Sequence, residues 1–163
     1  MEKWVVSAKK ADFQGISNRF GVDPVIARLI RNREYITDEE IDRYLHGKIR
    51  NLHSWKQLKG IEDLLNILIQ KIKQKKKIRI IGDYDIDGVC STYILLQGLK
   101  TANALVDVDI PDRMKDGYGI SKELIERAYE KEIDTIITCD NGISAIEQIA
   151  FAKEKNMTVL VTD

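Results

Sequence analysis

The sequence contains few of the residues that cross-link or interrupt a chain. Only two of its 163 residues are cysteine and only two are proline. Cys90 and Cys139 lie in apolar segments without C-x-x-C spacing, which predicts two buried, reduced thiols. No internal repeat, low-complexity tract or Pro-rich linker is present. The sequence therefore gives no sign of a disulfide framework, a metal-binding cysteine pair or a repeat architecture.

Long apolar runs are also missing. No stretch approaches the ~20 apolar residues that span a bilayer, and the first residues, 1–6, lack the apolar run of a signal peptide. These absences predict a soluble, cytoplasmic protein that does not associate with a membrane, and we expect a monomer. The length and the apolar content of 44% suffice for one ordinary domain with a small helical prelude.

The net charge is zero, but the charges are distributed unevenly. Residues 1–77 carry 17 Lys and Arg against 10 Asp and Glu, whereas residues 78–163 carry 9 against 16. The basic half can attract a polyanion, and the acidic half can hold cations where its carboxylates gather.

Helix-start signals and apolar periodicity predict three helices in the amino-terminal part. Asp23 and Pro24 are residue types typical of an N-cap and a first helical position, and Thr37 with Glu40 forms a T-x-x-E capping box. Apolar residues at helical spacing follow each signal and also form a stripe further along the chain. The three predicted helices cover residues 24–33, 38–46 and 61–75.

From Lys77 onward, short runs rich in Ile and Val alternate with helical stretches. The predicted strands are 78–81, 105–110, 133–138 and 158–162. The helices between them are predicted at 89–102, 122–131 and 145–156, the last opened by a capping box of Ser144 and Glu147. This alternation predicts an α/β fold with a doubly wound, mainly parallel sheet of four strands, preceded by a small helical segment.

Acidic residues follow three of the four predicted strands. Ligands of doubly wound sheets bind beyond the carboxyl ends of the strands, so these acids should meet at one edge. Two unit charges ~4 Å apart repel by ~4 kcal/mol at an effective dielectric constant of ~20. Hard divalent cations bound by oxygen ligands relieve such repulsion. The pattern predicts a metal site with the candidate ligands Asp83, Asp85, Asp87, Asp140 and Asp163.

Other interpretations of these acids exist. Asp83, Asp140 and Ser144 could simply cap turns and helices. The D-x-D-x-D-G spacing that starts at Asp83 is similar to an EF-hand loop, but its twelfth position is Ile94 instead of Glu and a strand precedes it. A receiver-type signalling domain, which binds magnesium with acids after its first and third strands, remains an alternative.

The acidic segments resemble the motifs of one enzyme family. Residues 82–88, Gly-Asp-Tyr-Asp-Ile-Asp-Gly, resemble the first motif of the DHH phosphoesterases, and residues 138–144, Thr-Cys-Asp-Asn-Gly-Ile-Ser, resemble the second. Residues 161–163, Val-Thr-Asp, resemble the opening of the third motif, which in the family continues with two histidines.

A loop between the first two motifs indicates which branch of the DHH family the sequence resembles. Residues 110–113, Ile-Pro-Asp-Arg, with Gly-Tyr-Gly at 117–119 are similar to the Pro-Asn-Arg and Gly-Tyr-Gly loop of RecJ-type single-strand exonucleases, with Asp112 in place of the Asn. The predicted amino-terminal helices also resemble the RecJ amino-terminal segment. The resemblance implies a helical segment over 1–60 and the amino-terminal part of a phosphoesterase domain over 61–163.

The resemblance implies a phosphodiesterase that uses two ions, Mn²⁺ or Mg²⁺. Asp85 and Asp87 would each hold one ion, and Asp140 would bridge both. Asp83 and Asp163 would orient the ligands or complete the metal shell. The resemblance implies no further catalytic residue.

For RecJ-like members, the implied substrate is single-stranded DNA, degraded from its 5′ end to mononucleotides in DNA repair and recombination. Arg113 would contact a phosphate and Tyr118 would stack on a base, with packing of the loop as the alternative for both. Other DHH proteins act on short RNA or cyclic dinucleotides, and these substrates remain alternatives. Without the histidines of the third motif, the chain by itself is expected to be inactive.

Overall fold

The computed structural model describes residues 3, 9–114, 116, 117 and 119–163. The chain divides into two compact units, Met1–Gln57 and Leu58–Asp163. None of the helices described in these residues is long and apolar enough to cross a membrane.

The first unit is helical. It contains α1 (Phe13–Phe20), α2 (Pro24–Asn32) and α3 (Asp38–His46), followed by single 3-10 turns at Ile49–Asn51 and Trp55–Gln57. Side chains cap all three α-helices, and the predicted capping box of Thr37 and Glu40 is formed in both directions. The sequence analysis missed α1, although Asp12 accepts a hydrogen bond from the Gly15 N–H at its start. The helices enclose a small core of Ile16, Ala27, Ile30 and Ile41.

The second unit is the predicted α/β fold. Its elements are α4 (Ile61–Lys73), β1 (Lys77–Ile81), α5 (Ile86–Thr101), β2 (Leu105–Asp109), α6 (Lys122–Glu130), β3 (Thr135–Thr138), α7 (Ile146–Glu154) and β4 (Thr158–Leu160). The strands form a parallel sheet in the order β2-β1-β3-β4. The prediction of a parallel sheet after a helical segment is thus confirmed.

Both faces of the sheet are covered by helices. On one face, Ile78 and Ile80 of β1 pack with Leu68 of α4 and Leu99 of α5. On the other face, Ile81 belongs to a cluster that includes residues of α6 and α7. Burial on both faces explains why the last four residues of β1, Ile78 to Ile81, are all buried, including the charged Arg79. Each fully buried Ile or Leu side chain contributes about 1.5–3 kcal/mol to folding.

Two predictions from the sequence are wrong. The capping box of Ser144 and Glu147 is not formed, because α7 begins after Ala145, which makes no side-chain cap. Ser144 instead lies in a turn closed by the hydrogen bond from the Ala145 N–H to the Gly142 carbonyl.

The second wrong prediction concerns Cys90. Cys90 is exposed on α5, whereas Cys139 is buried as predicted. The apolar neighbours of Cys90 misled the prediction, since several of them are themselves exposed.

Candidate metal centre

The strand order determines where a ligand can bind. The chain leaves β1 toward β2 on one side and returns to β3 on the other, so the switch point of the sheet lies between β1 and β3. Ile81 at the end of β1 pairs with Thr138 at the end of β3. The segment with the first three aspartates and the segment with Asp140 therefore leave the sheet side by side.

Asp83 occupies the interior of this edge. Its side chain has no exposed surface, and neither carboxylate oxygen has a hydrogen-bond partner among the described residues. A buried carboxylate without compensation is strongly unfavourable, and a cation is the compensation that its oxygen atoms favour. Full burial distinguishes Asp83 from the exposed Asp85 and Asp87, and its role as a ligand or as an orienting residue stays a prediction.

Asp85 and Asp87 are exposed at the start of α5. Asp85 is the N-cap, and its Oδ1 accepts a hydrogen bond from the Gly88 N–H at 2.9 Å. Asp87 lies in the first turn of the helix. The capping role of Asp85 leaves lone pairs on an ionised carboxylate, so it is compatible with a second role as a ligand.

Neighbouring negative charges disfavour the ionised form of Asp140. Partial burial, followed by the negative charges of Asp85, Asp87, Asp163 and Asp83, raises the pKa of Asp140 above its usual value. The influence of all four other acids on one carboxyl group shows that the five candidates share one electrostatic environment. The backbone at Asp140 is left-handed, with φ 59°. Its N–H donates to the Thr162 carbonyl at 3.0 Å, which joins the ends of β3 and β4.

Three of the acids line an open depression of about 480 Å³. These are Asp87, Asp140 and Asp163, accompanied by Ser91, Ile94, Cys139 and Thr162. Asp163 Oδ2 accepts a hydrogen bond from the Ile143 N–H at 2.9 Å, which directs this side chain toward the start of α7. The depression is the space that an ion and part of a substrate could enter.

The acids meet at one edge without forming a complete cage. Within the described ranges, no three His, Cys, Asp or Glu side chains lie close enough to hold one metal ion. The assignment of individual ligands therefore remains a prediction.

Asn141 contributes to the site, although the sequence analysis assigned it no role. It is buried, and its Nδ2 donates to the carbonyls of Ile81 at 3.1 Å and of Cys139 at 2.9 Å. These bonds fix the ends of β1 and β3 relative to one another. Its Oδ1, like the hydroxyls of Thr92 and Thr138, is buried without a hydrogen-bond partner in the described part of the chain. Only the tertiary structure reveals this concentration of polar groups under the acids.

The loop after β2 brings a basic residue to the same edge. The Arg113 guanidinium lies 5.5 Å from the ring centroid of Tyr84, which follows Asp83. Arg113 is otherwise exposed, as a phosphate contact must be. Tyr118, the predicted stacking residue, lies outside the described residues.

The DHH family, N-terminal domain, matches residues 77–163. This chain belongs to the DHH family. It is 34% identical over 162 residues to the single-stranded-DNA-specific exonuclease RecJ of Bacillus subtilis, covering 99% of this chain and 21% of that protein. It is 38% identical over 149 residues to RecJ of Haemophilus influenzae, covering 91% of this chain and 25% of that protein.

Solved structures agree with the DHH assignment. A crystal structure of exonuclease RecJ bound to manganese has a TM-score of 0.63 and 34% identity, covering 69% of this chain and 29% of that one. RecJ from Thermus thermophilus in complex with Mn²⁺ has a TM-score of 0.59 and 26% identity, covering 93% and 20%. The DHH chain thus spans about a fifth to a quarter of the length of these curated relatives. Receiver domains share the strand order, so the family match, and not the fold, decides against that alternative.

One prediction tests how tightly this DHH segment is packed around Asp83. A Cβ atom on Gly88 would lie 2.6 Å from the Asp83 Cβ and from its backbone oxygen. Gly88→Ala should therefore lower the free energy of unfolding by about 1–3 kcal/mol, as overpacked cores do. Gly98→Ala, in the same helix with open space around it, should raise it by up to ~1 kcal/mol. Urea denaturation measures both, and stabilisation by both substitutions would contradict the packing seen at Asp83.

Proposed function

We propose that this chain supplies the metal-binding edge of a single-stranded-DNA exonuclease that degrades DNA from the 5′ end to mononucleotides. The observation that carries the proposal is the fully buried carboxylate of Asp83 at the switch point, which has no hydrogen-bond partner in the part of the chain that the structure describes, with four further acids in the same environment. The RecJ relatives are named as single-stranded-DNA-specific exonucleases, which supports the substrate. Polarity and product follow from the resemblance to RecJ.

The donor set fits two hard divalent cations. All five candidates offer carboxylate oxygens, which suit Mn²⁺ and Mg²⁺, and two similar RecJ structures are manganese complexes. We propose that Asp85 and Asp87 each hold one ion, that Asp140 bridges both, and that Asp83 and Asp163 complete or orient the shell. When bound, such ions activate water and stabilise negative charge on the phosphoryl group. The protein holds the acids in place through the β1 and β3 ends and excludes water around Asp83.

The function is tested with a longer protein that carries this chain. It should convert 5′-labelled single-stranded DNA to labelled mononucleotide in the presence of Mn²⁺, whereas a 3′ label should be released only late. Short RNA and cyclic dinucleotides, the alternative DHH substrates, serve as competitors. Preferential hydrolysis of either one would contradict the proposal for DNA.

Arg113 and Tyr118 are the proposed DNA contacts, and Arg113 gives a prediction. Arg113→Ala should weaken binding of single-stranded DNA and reduce the dependence of log K on log salt by about 0.7, the contribution of one phosphate contact on a single strand. Hydrolysis at saturating DNA should persist, because the acids are untouched. Lys100→Ala is the matched control, since it removes one exposed positive charge from the far end of α5. Equal salt slopes for both variants would assign Arg113 to packing of the loop.

We also propose the wider setting that the resemblance implies. The protein would act in DNA repair and recombination, in the cytoplasm and as a monomer. Its domain division would be a helical segment over residues 1–60 and the start of the phosphoesterase domain over 61–163. The separation of the compact units between Gln57 and Leu58 supports this division.

A further inference from the structure

A row of alternating charges crosses the sheet face that α6 covers. Arg79 of β1 lies opposite Asp107 of β2 and is only 1% exposed. Its Nε and Nη2 donate to the two Asp107 carboxylate oxygens at 2.8 and 2.5 Å. Its Nη1 lies 3.7 Å from Asp109 Oδ2. The row therefore begins with a guanidinium that the sheet itself holds in place.

Arg127 of α6 continues the row toward the loop. Its Nε lies 3.5 Å from the same Asp109 oxygen, and its Nη1 and Nη2 donate to Asp116 at 3.0 and 3.3 Å. The hydrogen bonds with Asp116 raise the pKa of Arg127. A helix residue thus joins the end of β2 to the loop that follows it.

Asp116 closes the turn that carries Arg113. Asp116 Oδ2 accepts a hydrogen bond from the Asp112 N–H at 2.9 Å, and the Asp116 N–H donates to the Asp112 carbonyl at 2.8 Å. Asp112 in turn accepts from the Met114 N–H at 2.9 Å. Arg113 lies inside this closed turn, and its guanidinium is directed over Tyr84 beside the acids.

We propose that Arg127 is a positioning residue that, through Asp116, holds the turn of Asp112, Arg113 and Met114 so that Arg113 faces the acidic edge. The proposal rests on the proposed function, because it gives Arg113 the role of phosphate contact. A bidentate guanidinium–carboxylate pair fixes direction as well as distance, which a lysine or an apolar contact would not do. Partly buried ion pairs often add little net stability. The main effect of the Arg127–Asp116 pair is therefore to position the turn.

Hydrogen exchange tests the anchoring without any DNA. In Arg127→Met, exchange of the Asp112 and Asp116 amides should accelerate by about tenfold, the factor that corresponds to 1.4 kcal/mol. Asp116→Asn is the milder second variant and should act in the same direction. The control is Lys155→Met, which removes an ion pair to Glu126 of the same helix and should leave both amides unchanged. Unchanged exchange in Arg127→Met and Asp116→Asn would overturn the proposal.

A double-mutant cycle in the longer protein tests the consequence for DNA. If Arg127 positions Arg113, Arg127→Met should raise KM about tenfold with little change in kcat, and Arg113→Ala should have almost no further effect in that background. Independent, multiplicative effects would overturn the positioning role. If Arg113→Ala changes neither KM nor kcat in the otherwise unaltered protein, Arg113 is not a DNA contact. The exchange experiment still decides whether Arg127 anchors the turn.

Discussion

Asp140→Ala should abolish hydrolysis in a longer protein that carries this chain. Loss of an outer-shell partner alone can reduce metal affinity or activity by about 10–100-fold, and loss of a shared ligand should exceed that range. The protein should still fold, because relief of the repulsion from four other acids opposes the cost of about 1–2 kcal/mol that the left-handed backbone at φ 59° imposes on Ala. Single-turnover hydrolysis of 5′-labelled single-stranded DNA, together with thermal denaturation, measures both effects.

Asp140→Asn is the matched control for the fold. Asparagine tolerates the left-handed backbone at φ 59° and lacks the charge. The raised pKa means that ionised Asp140 destabilises the metal-free protein. That penalty should be absent in strong acid and should grow as the pH rises through the raised pKa. The Asn variant should therefore be more stable than the parent at neutral pH and equal to it in strong acid, and yet be inactive. Activity in either variant would remove Asp140 from the metal site.

The 163-residue chain by itself should fold but should not hydrolyse single-stranded DNA. Its acids share one edge, but within the described residues no three of them lie close enough to form a metal cage. Metal binding should therefore be weak and limited to one ion, and positioning of the substrate, which can supply several kcal/mol of a barrier, should be lost. Calorimetric titration with Mn²⁺, combined with a single-turnover assay, measures both quantities.

Asp85→Ala is the control for the isolated chain. Turnover that depends on Mn²⁺ and disappears in this variant would show that the acids of this chain suffice for catalysis. Turnover that survives in Asp85→Ala would indicate a contaminating nuclease.

Local signals in the sequence predicted the elements that local interactions determine. The Thr37 capping box and the N-cap at Asp23 are formed as predicted, because each depends on residues within one turn. Ser144 and Glu147 have the same sequence pattern but form no capping box, because Ser144 lies in the turn that the Ala145 N–H closes with the Gly142 carbonyl. The Ser144 motif thus failed because a tight turn at Gly142 precedes α7.

The acidic residues of the candidate site could be predicted from the sequence, but their different degrees of burial could not. Asp83, Asp85 and Asp87 are two residues apart in the sequence, yet one is fully buried while the other two are exposed. Gly82 and Gly88 lack the Cβ atoms that would collide with Thr92 and with Asp83, so α5 can pack closely against this segment. The sequence shows the spacing of these residues, whereas the packing that separates their roles is a tertiary property. The same holds for the contacts of Asn141 with the ends of β1 and β3.

The central position of β1 has a consequence for how the site forms during folding. The two acidic segments become neighbours only when β1 pairs with β3, and the chain between these strands includes β2 and two helices. The site therefore depends on a non-local contact, which forms slowly relative to the helices. A metal ion held by both segments would bind the native state and not the unfolded chain, and would stabilise it according to mass action. Binding of the ion would thus be coupled to global folding and not to the ordering of one loop.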